Sequence, residues 1–118
     1  MDAMTTRVRN DVLAAAKLFR GFADPTRLGI LEALAEEGEL RVTDLVERLG
    51  GSQGNISGHV ACLKDCGLVV DRPEGRQVFY SISDPVVVEA VRSAEMVLAL
   101  TGEQIRLCPN YRLVPDSR

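Results

Sequence analysis

Residues 43–68 read TDLVERLGGSQGNISGHVACLKDCGL, and this stretch decides the fold. Thr43 is a suitable cap for a first short helix with Leu45, Val46 and Leu49 as its apolar positions. Gly50, Gly51 and Ser52 make a tight turn into a second helix that extends from Ser52 to about Leu68. Two short helices joined by a glycine-containing turn form a helix-turn-helix pair. Helical proteins also use such pairs for packing alone, so the flanking sequence has to decide what this one is for.

Downstream, LVVDRPEGRQVFYSIS (68–83) reads as two short β-runs around a turn. Pro73 and Gly75 suit the second and fourth places of a type I turn starting at Arg72. The hairpin carries Arg72 and Arg76 near its tip, followed by Gln77. A helix-turn-helix followed directly by a basic-tipped hairpin is a winged helix, and the pair is then read as DNA-binding. Upstream, Val8, Val12, Ala15, Phe19 and Phe22 recur at helical spacing from Arg7 onward. Asp24-Pro25 then opens a helix with Leu28, Ile30, Leu31 and Leu34 as its buried stripe, closed by Gly38.

Asp84-Pro85 repeats the cap-plus-proline signal and opens a last helix, in which Val87, Val88, Ala90, Val91, Ala94, Val97 and Leu98 cover more than one face. A helix apolar over that width needs more burial than one small domain supplies. The expectation is a homodimer in which this helix and the first pack across a two-fold axis, suited to an inverted-repeat DNA site. The fold class is mainly α with one β-hairpin, in the order α1-α2-α3-α4-β1-β2-α5. One domain is expected over residues 1–118, with an ordered core at 7–103 and a cysteine-bearing tail at 104–118.

Composition narrows the function. The chain has 118 residues, 46% of them apolar and 26% charged, the mix of an ordinary globular domain. Aromatics are only 4% and tryptophan is absent, which argues against base-stacking platforms for single strands. Glu89, Arg92 and Glu95 interrupt the best candidate for a membrane span, and the N-terminus lacks the apolar core of a secretory signal. A cytoplasmic protein without membrane association is expected. A net charge of −3 counts against nucleic-acid binding. Residues 41–81 are neutral, with Arg41, Arg48, Lys64, Arg72 and Arg76 balanced by Asp44, Glu47, Asp65, Asp71 and Glu74, so geometry has to bring the cations to the phosphates. With a single histidine and no nucleophile paired to a base, no catalytic set is present.

Plotted at 100° per residue, Ile56, Val60 and Leu63 fall within about 60° of one another and form the core stripe of the second helix. Gln53, Ser57 and Lys64 lie on one flank, and Asn55, His59, Cys62 and Cys66 form a column on the other. Asn and Gln can pair bidentately with adenine, and recognition helices read bases mainly from their N-terminal part. Gln53, Asn55 and Ser57 are therefore the base-edge candidates. Ser52, Lys64, Arg72, Arg76 and Gln77 complete the candidate DNA surface, and His59 either joins it or packs. Gly54 and Gly58 are unusual in a helix interior, each costing about 1 kcal/mol against alanine. They serve either close approach to the DNA backbone or a helix kept marginal enough to be reshaped.

An odd number of cysteines, three, argues against a disulfide framework. Cys62 and Cys66 are four residues apart, so both sulfurs can reach one ion at about 2.3 Å. Cysteine is also a small apolar residue that is often simply buried, but these two lie beside the core stripe rather than on it. A disulfide within one regular helix is geometrically awkward. A redox-reactive thiol prefers a helix N-terminus, whereas Cys66 is at the C-terminal end, where a thiolate is disfavoured. A metal trigger is thus favoured over a redox one. Cys108 in the tail is the obvious third ligand, and three thiolates suit cadmium, lead, mercury or trivalent arsenic. Zinc would normally take a fourth ligand, and His59 is a poor candidate for it.

ADPTRLGIL, NISGHVACLKDCGLV and EGRQVFYSI together resemble the ArsR/SmtB family of winged-helix metal-sensing repressors, over nearly all of residues 8–100. TDLVERLG has no Cys-x-Cys and the last helix has no histidine, so two of that family's sensor-site types are missing. CLKDCG with a tail cysteine is similar to the cadmium- and lead-sensing branch. That resemblance implies Cys62 and Cys66 of one subunit joined by Cys108 of the other, with metal binding releasing operator DNA. The family often has Ser or Thr where Gly54 stands and a larger polar residue at Gly58. A thiol-based redox repressor and a winged-helix protein-interaction module are the competing readings.

Overall fold

The computed structural model describes residues 9–102. Four helices, α1 (Asn10–Phe22), α2 (Pro25–Glu37), α3 (Val42–Leu49) and α4 (Gln53–Asp65), precede the hairpin of β1 (Val69–Glu74) and β2 (Gln77–Ile82), and α5 (Pro85–Ala99) follows it. This is the winged helix-turn-helix order expected from the sequence.

The helix starts follow local chemistry. The Asp24 carboxylate accepts the Arg27 N–H at 3.0 Å with Pro25 in the first turn, and the Asp84 carboxylate accepts the Val86 N–H at 2.9 Å ahead of α5. Ser52 caps α4 by accepting the Asn55 N–H at 3.0 Å. Each satisfies an amide that the helix leaves without an internal partner. Helix α3 differs from expectation, because it begins at Val42 and Thr43 is already inside it. The Asp44 carboxylate accepts both the Arg41 backbone N–H at 2.9 Å and the Arg41 guanidinium at 3.0 and 2.8 Å. That grip makes Arg41 the cap and closes the first turn before Thr43.

The hairpin turn also differs. Strand register pairs Pro73 with Val78 and Glu74 with Gln77, which leaves Gly75 and Arg76 as the two loop residues. Gly75 has φ +64, and a two-residue hairpin loop needs positive φ at its first central position, which glycine supplies. Pro73 has no N–H to offer and is tolerated because a two-stranded sheet consists only of edges. Arg76 is therefore at the tip, while Arg72 is within β1, opposite Phe79. Leu40 adds a bridge to the hairpin through Leu40 N–H to Tyr80 O at 3.1 Å and Tyr80 N–H to Leu40 O at 2.9 Å.

The core joins α2, α3, α4, β1 and α5 through Ile30, Leu31, Leu34, Leu45, Ile56, Leu63, Val69 and Val88, all under 2% exposed or close to it. Helix α4 contributes Ile56, Val60 and Leu63, as its stripe predicts. On α2, Ala33 is buried while Leu28 is only half-buried, facing α1 and α5 across an apolar cavity of about 290 Å³ with Phe19, Phe22, Ala90, Val91, Ala94 and Leu98. Helix α1 buries only Gly21, and Phe19 is 68% exposed. Helix α5 buries Val87, Val88 and Val91 but leaves Met96 and Val97 more than 60% exposed. Among the described residues, the apolar faces of α1 and α5 therefore find too little cover. Arg7, Val8 and the tail with Cys108 lie outside the described residues.

Candidate functional site

The N-terminal half of α4 and the wing enclose an open cleft of about 320 Å³, lined by Gln53 and Ser57 from α4 and by Arg76, Gln77, Val78 and Tyr80 from the hairpin. Arg41 and Thr43 of the α3 N-terminus complete it. Four candidate DNA residues thus converge. Asn55 faces a different opening, bounded by Pro25, Thr26 and Gly29 of α2 and by Gly50 and Gly51 of the turn. Ser52 has its hydroxyl engaged as the α4 cap. A Cβ added at Gly54 or at Gly58 would meet nothing within 4 Å, so both glycines present bare backbone to open space.

The remaining cations are not equivalent. Lys64 donates to the Asp71 carboxylate at 2.7 Å, which raises the lysine pKa and lowers that of Asp71. Arg72 makes a paired contact with Glu39 at 2.9 Å on both nitrogens, reaches Glu74 at 2.7 Å, and lies 4.9 Å from the Phe79 ring centroid. Hydrogen bonds to these carboxylates push the Arg72 pKa up and hold Glu39 below its usual range. Arg76 makes no ion pair among the described residues. Position along the hairpin, invisible in a tally of charges, separates the two arginines.

His59 packs. Its side chain is 20% exposed, with Nδ1 3.1 Å from Arg27 Nη1 and 3.8 Å from the Asp24 carboxylate. Arg27 is a residue that reading the sequence missed. Its Nε donates to Gly21 O at 2.9 Å and its Nη2 to Arg20 O at 2.9 Å, which ties the end of α1 to the start of α2 and the middle of α4. Its place three residues after the Asp24 cap is the only local hint, since all three acceptors are distant or backbone.

Cys62 and Cys66 are both free thiols and partly buried. Cys66 caps the C-terminus of α4 in αR conformation, donating its N–H to Cys62 O at 3.0 Å. The two thiols stand one helical turn apart, and Cys66 Sγ is 3.8 Å from Lys17 O of α1. Burial first, then the neighbouring Cys62, pushes the Cys66 thiol above its ordinary value. Two sulfurs one helical turn apart suit a soft cation, whose charge would stabilise both as thiolates. No cluster of three His, Cys, Asp or Glu side chains suited to a metal occurs among the described residues, so a complete thiolate site needs a donor from beyond them.

A family model described as "Bacterial regulatory protein, arsR family" matches residues 24–70, which span α2, α3, α4 and the start of the wing. Curated relatives extend the likeness over most of the chain. The regulator CmtR of Mycobacterium tuberculosis is 40% identical over 102 residues, covering 86% of this chain and 84% of that one. The chain belongs to the ArsR family. The arsenical resistance operon repressor of Escherichia coli K12 is 44% identical over 94 residues, 80% of each chain. The probable mercury resistance operon repressor of Streptomyces lividans is 39% identical over 93 residues, 79% of this chain and 74% of that one. The NMR structure of CmtR, titled as that of a cadmium metal-sensor, superposes with a TM-score of 0.59 at 41% identity, covering 70% of this chain and 85% of that one. As an ArsR-family protein this chain is a DNA-binding transcriptional regulator and not an enzyme. No helix among the described residues is long and apolar enough to cross a membrane.

Proposed function

We propose that this ArsR-family chain is a metal-responsive repressor: a cytoplasmic homodimer binds an inverted-repeat operator and releases it when a soft ion occupies Cys62, Cys66 and Cys108. Cadmium or lead is the preferred ion, with mercury, trivalent arsenic and zinc as weaker candidates. The observation that carries this reading is the pair of partly buried thiols one turn apart on the helix whose other end, through Gln53 and Ser57, lines the cleft beside the wing. Relatives whose names record cadmium, arsenic and mercury support the same class of effector.

Each residue has a distinct task in this mechanism. Gln53, Asn55 and Ser57 read base edges, while Arg76 and Gln77 hold the backbone beside the wing. Ser52 keeps the N-terminus of α4 wound, and Lys64 and Arg72 reach phosphates only by exchanging their carboxylate partners. Cys62 and Cys66 each give up a proton to become ligands, and the ion supplies the positive charge that makes this favourable. Thiolate–metal binding is worth on the order of 10 kcal/mol, well above the ~1–3 kcal/mol that regulation requires. The exposed apolar residues of α1 and α5, Phe19, Met96 and Val97 among them, with Leu100 just beyond α5, form the two-fold interface.

The test is a titration of reduced protein with cadmium, lead, arsenite and zinc, following sulfur charge-transfer absorption and operator affinity together. Cadmium should release the operator from the wild type but not from Cys62→Ser or Cys66→Ser, and Cys108→Ser should lose most of the response. Absence of an operator complex at low salt would sink the repressor reading. Release by peroxide but not by cadmium would replace the metal trigger with a redox one.

A further inference from the structure

One side chain joins the end of α1 to the middle of the recognition helix. Arg27 directs Nε to Gly21 O and Nη2 to Arg20 O, both at 2.9 Å, while Nη1 lies 3.1 Å from His59 Nδ1. A guanidinium offers donors only, so the last contact is a hydrogen bond in which unprotonated Nδ1 accepts and the ring proton resides on Nε2. Asp24 supports the arrangement by accepting the Arg27 backbone N–H at 3.0 Å, and its carboxylate is 3.8 Å from Nδ1.

The same end of α1 meets α4 at a second point. Cys66 Sγ donates toward Lys17 O at 3.8 Å, and a Cβ on Gly21 would come within 3.1 Å of that sulfur. The α4 segment from His59 to Cys66, with Cys62 between them, is therefore fastened to α1 at both ends. At His59 the fastening is Arg27, and at Cys66 it is direct packing. A movement of the sulfurs acts on the contacts of Cys66 with Lys17 and Gly21 and, through the end of α1, on the Arg27–His59 bond. His59 Nδ1 and the Nε, Nη1 and Nη2 of Arg27 are all engaged within the fold.

We infer that Arg27 and His59 are positioning residues that transmit a change at the Cys62–Cys66 thiol pair to the DNA-reading end of α4. They hold α4 on α1 in the arrangement that turns Gln53 and Ser57 toward the wing. The inference rests on the reading of the thiol pair as the effector site. It assigns these residues neither to the metal nor to DNA, and it predicts that losing their bond uncouples two sites that each still bind.

The experiment compares wild type, His59→Leu, His59→Asn and Arg27→Gln for operator affinity with and without cadmium, and for cadmium binding by sulfur charge-transfer absorption. Asparagine keeps an acceptor at about the reach of Nδ1, whereas leucine keeps only bulk. In His59→Leu and Arg27→Gln the cadmium-induced loss of operator affinity should shrink at least ~5-fold, the lower end of typical allosteric couplings. Cadmium binding should stay within about threefold, and His59→Asn should retain the wild-type response. Wild-type coupling in His59→Leu, or equal loss in His59→Leu and His59→Asn, would overturn the inference. A metal-free readout is independent of the effector: ring ¹⁵N shifts of His59 should report unprotonated Nδ1 in wild type and a tautomer mixture in Arg27→Gln. A protonated Nδ1 in wild type overturns it even if some variant fails to fold. A wild type that binds operator but ignores cadmium would instead reject the effector-site reading.

Discussion

Cys66 rests its sulfur on Gly21, where a Cβ would approach Sγ to 3.1 Å and Leu68 Cδ1 to 3.3 Å. Gly21 is the one buried residue of α1, and the missing side chain is what lets the thiol sit against that helix. Gly21→Ala gains about 1 kcal/mol of helix propensity and loses about 1–3 kcal/mol to overpacking. A net destabilisation of about 1 kcal/mol is expected by urea unfolding. In a Cys66→Ala background the same change should cost less, because the closest clash is gone. Strict additivity of the two substitutions would show that the contact carries no energy.

Gly54 and Gly58 have open space where a Cβ would go, and neither has positive φ. Alanine at either site should stabilise the metal-free protein by about 1 kcal/mol, a rise in Tm of about 4–8 °C for a domain of this size. If close approach to the DNA backbone is what excludes a side chain, operator affinity will fall as stability rises. Thermal melts and gel shifts on the same samples separate these effects.

Arg76 and Arg72 should behave differently in salt. Arg76→Ala removes a cation without an ion pair among the described residues, so operator binding should weaken and the slope of log K against log salt should fall by about 0.9 per subunit, about 1.8 for the dimer. Arg72 is held by Glu39 and Glu74, and Arg72→Ala should leave the slope nearly unchanged while loosening the wing. Equal slopes for the two variants would show that Arg72 abandons its carboxylates on DNA.

Acid should release the start of α3. The Arg41 guanidinium, and then its backbone N–H, hold the Asp44 pKa down at about 2 against 3.8 in the unfolded chain. A depressed carboxylate pKa stabilises the fold above pH 3.8, and that contribution is lost as pH falls from there through 2. Asp44→Asn should destabilise the protein at pH 7 by about 1 kcal/mol, the usual worth of a cap. The gap between the two melting curves should close between about pH 4 and pH 2. A gap that persists at pH 2 would mean that the carboxylate charge is not what matters.

The exposed apolar faces predict the assembly. Phe19 on α1 and Val97 on α5 are 68% and 62% exposed, and a charge at either should oppose a two-fold interface made from these helices. Phe19→Glu and Val97→Glu should sediment as monomers and bind operator at least about tenfold more weakly, with the helical content of the wild type. Dimers in both variants would place the interface elsewhere.

Local signals in the sequence determined most of the architecture. Asp24-Pro25, Ser52 and Asp84-Pro85 each cap a helix through an amide two or three residues away, and Ile56, Val60 and Leu63 are buried as their spacing requires. Those interactions close within one helical turn, so residue order alone specifies them. The i to i+4 placement of Cys62 and Cys66 was legible for the same reason. Even local reading erred where two signals competed: Asp44 made Arg41 rather than Thr43 the cap, and Gly75 moved the hairpin turn away from Pro73.

Tertiary structure alone decided which charges and which apolar faces are spent inside the fold. With 14 basic and 17 acidic side chains, nothing in their order pairs Arg72 with Glu39, 33 residues away, or Arg27 with His59, 32 residues away. Such pairs form only because helix packing brings distant backbones together, and their geometry depends on every element between them. The same packing leaves Arg76 without an ion pair among the described residues at the wing tip and seats His59 beside Arg27. It also rests the thiol of Cys66 on the one glycine of α1, 45 residues earlier in the chain, a contact that no local signal specifies.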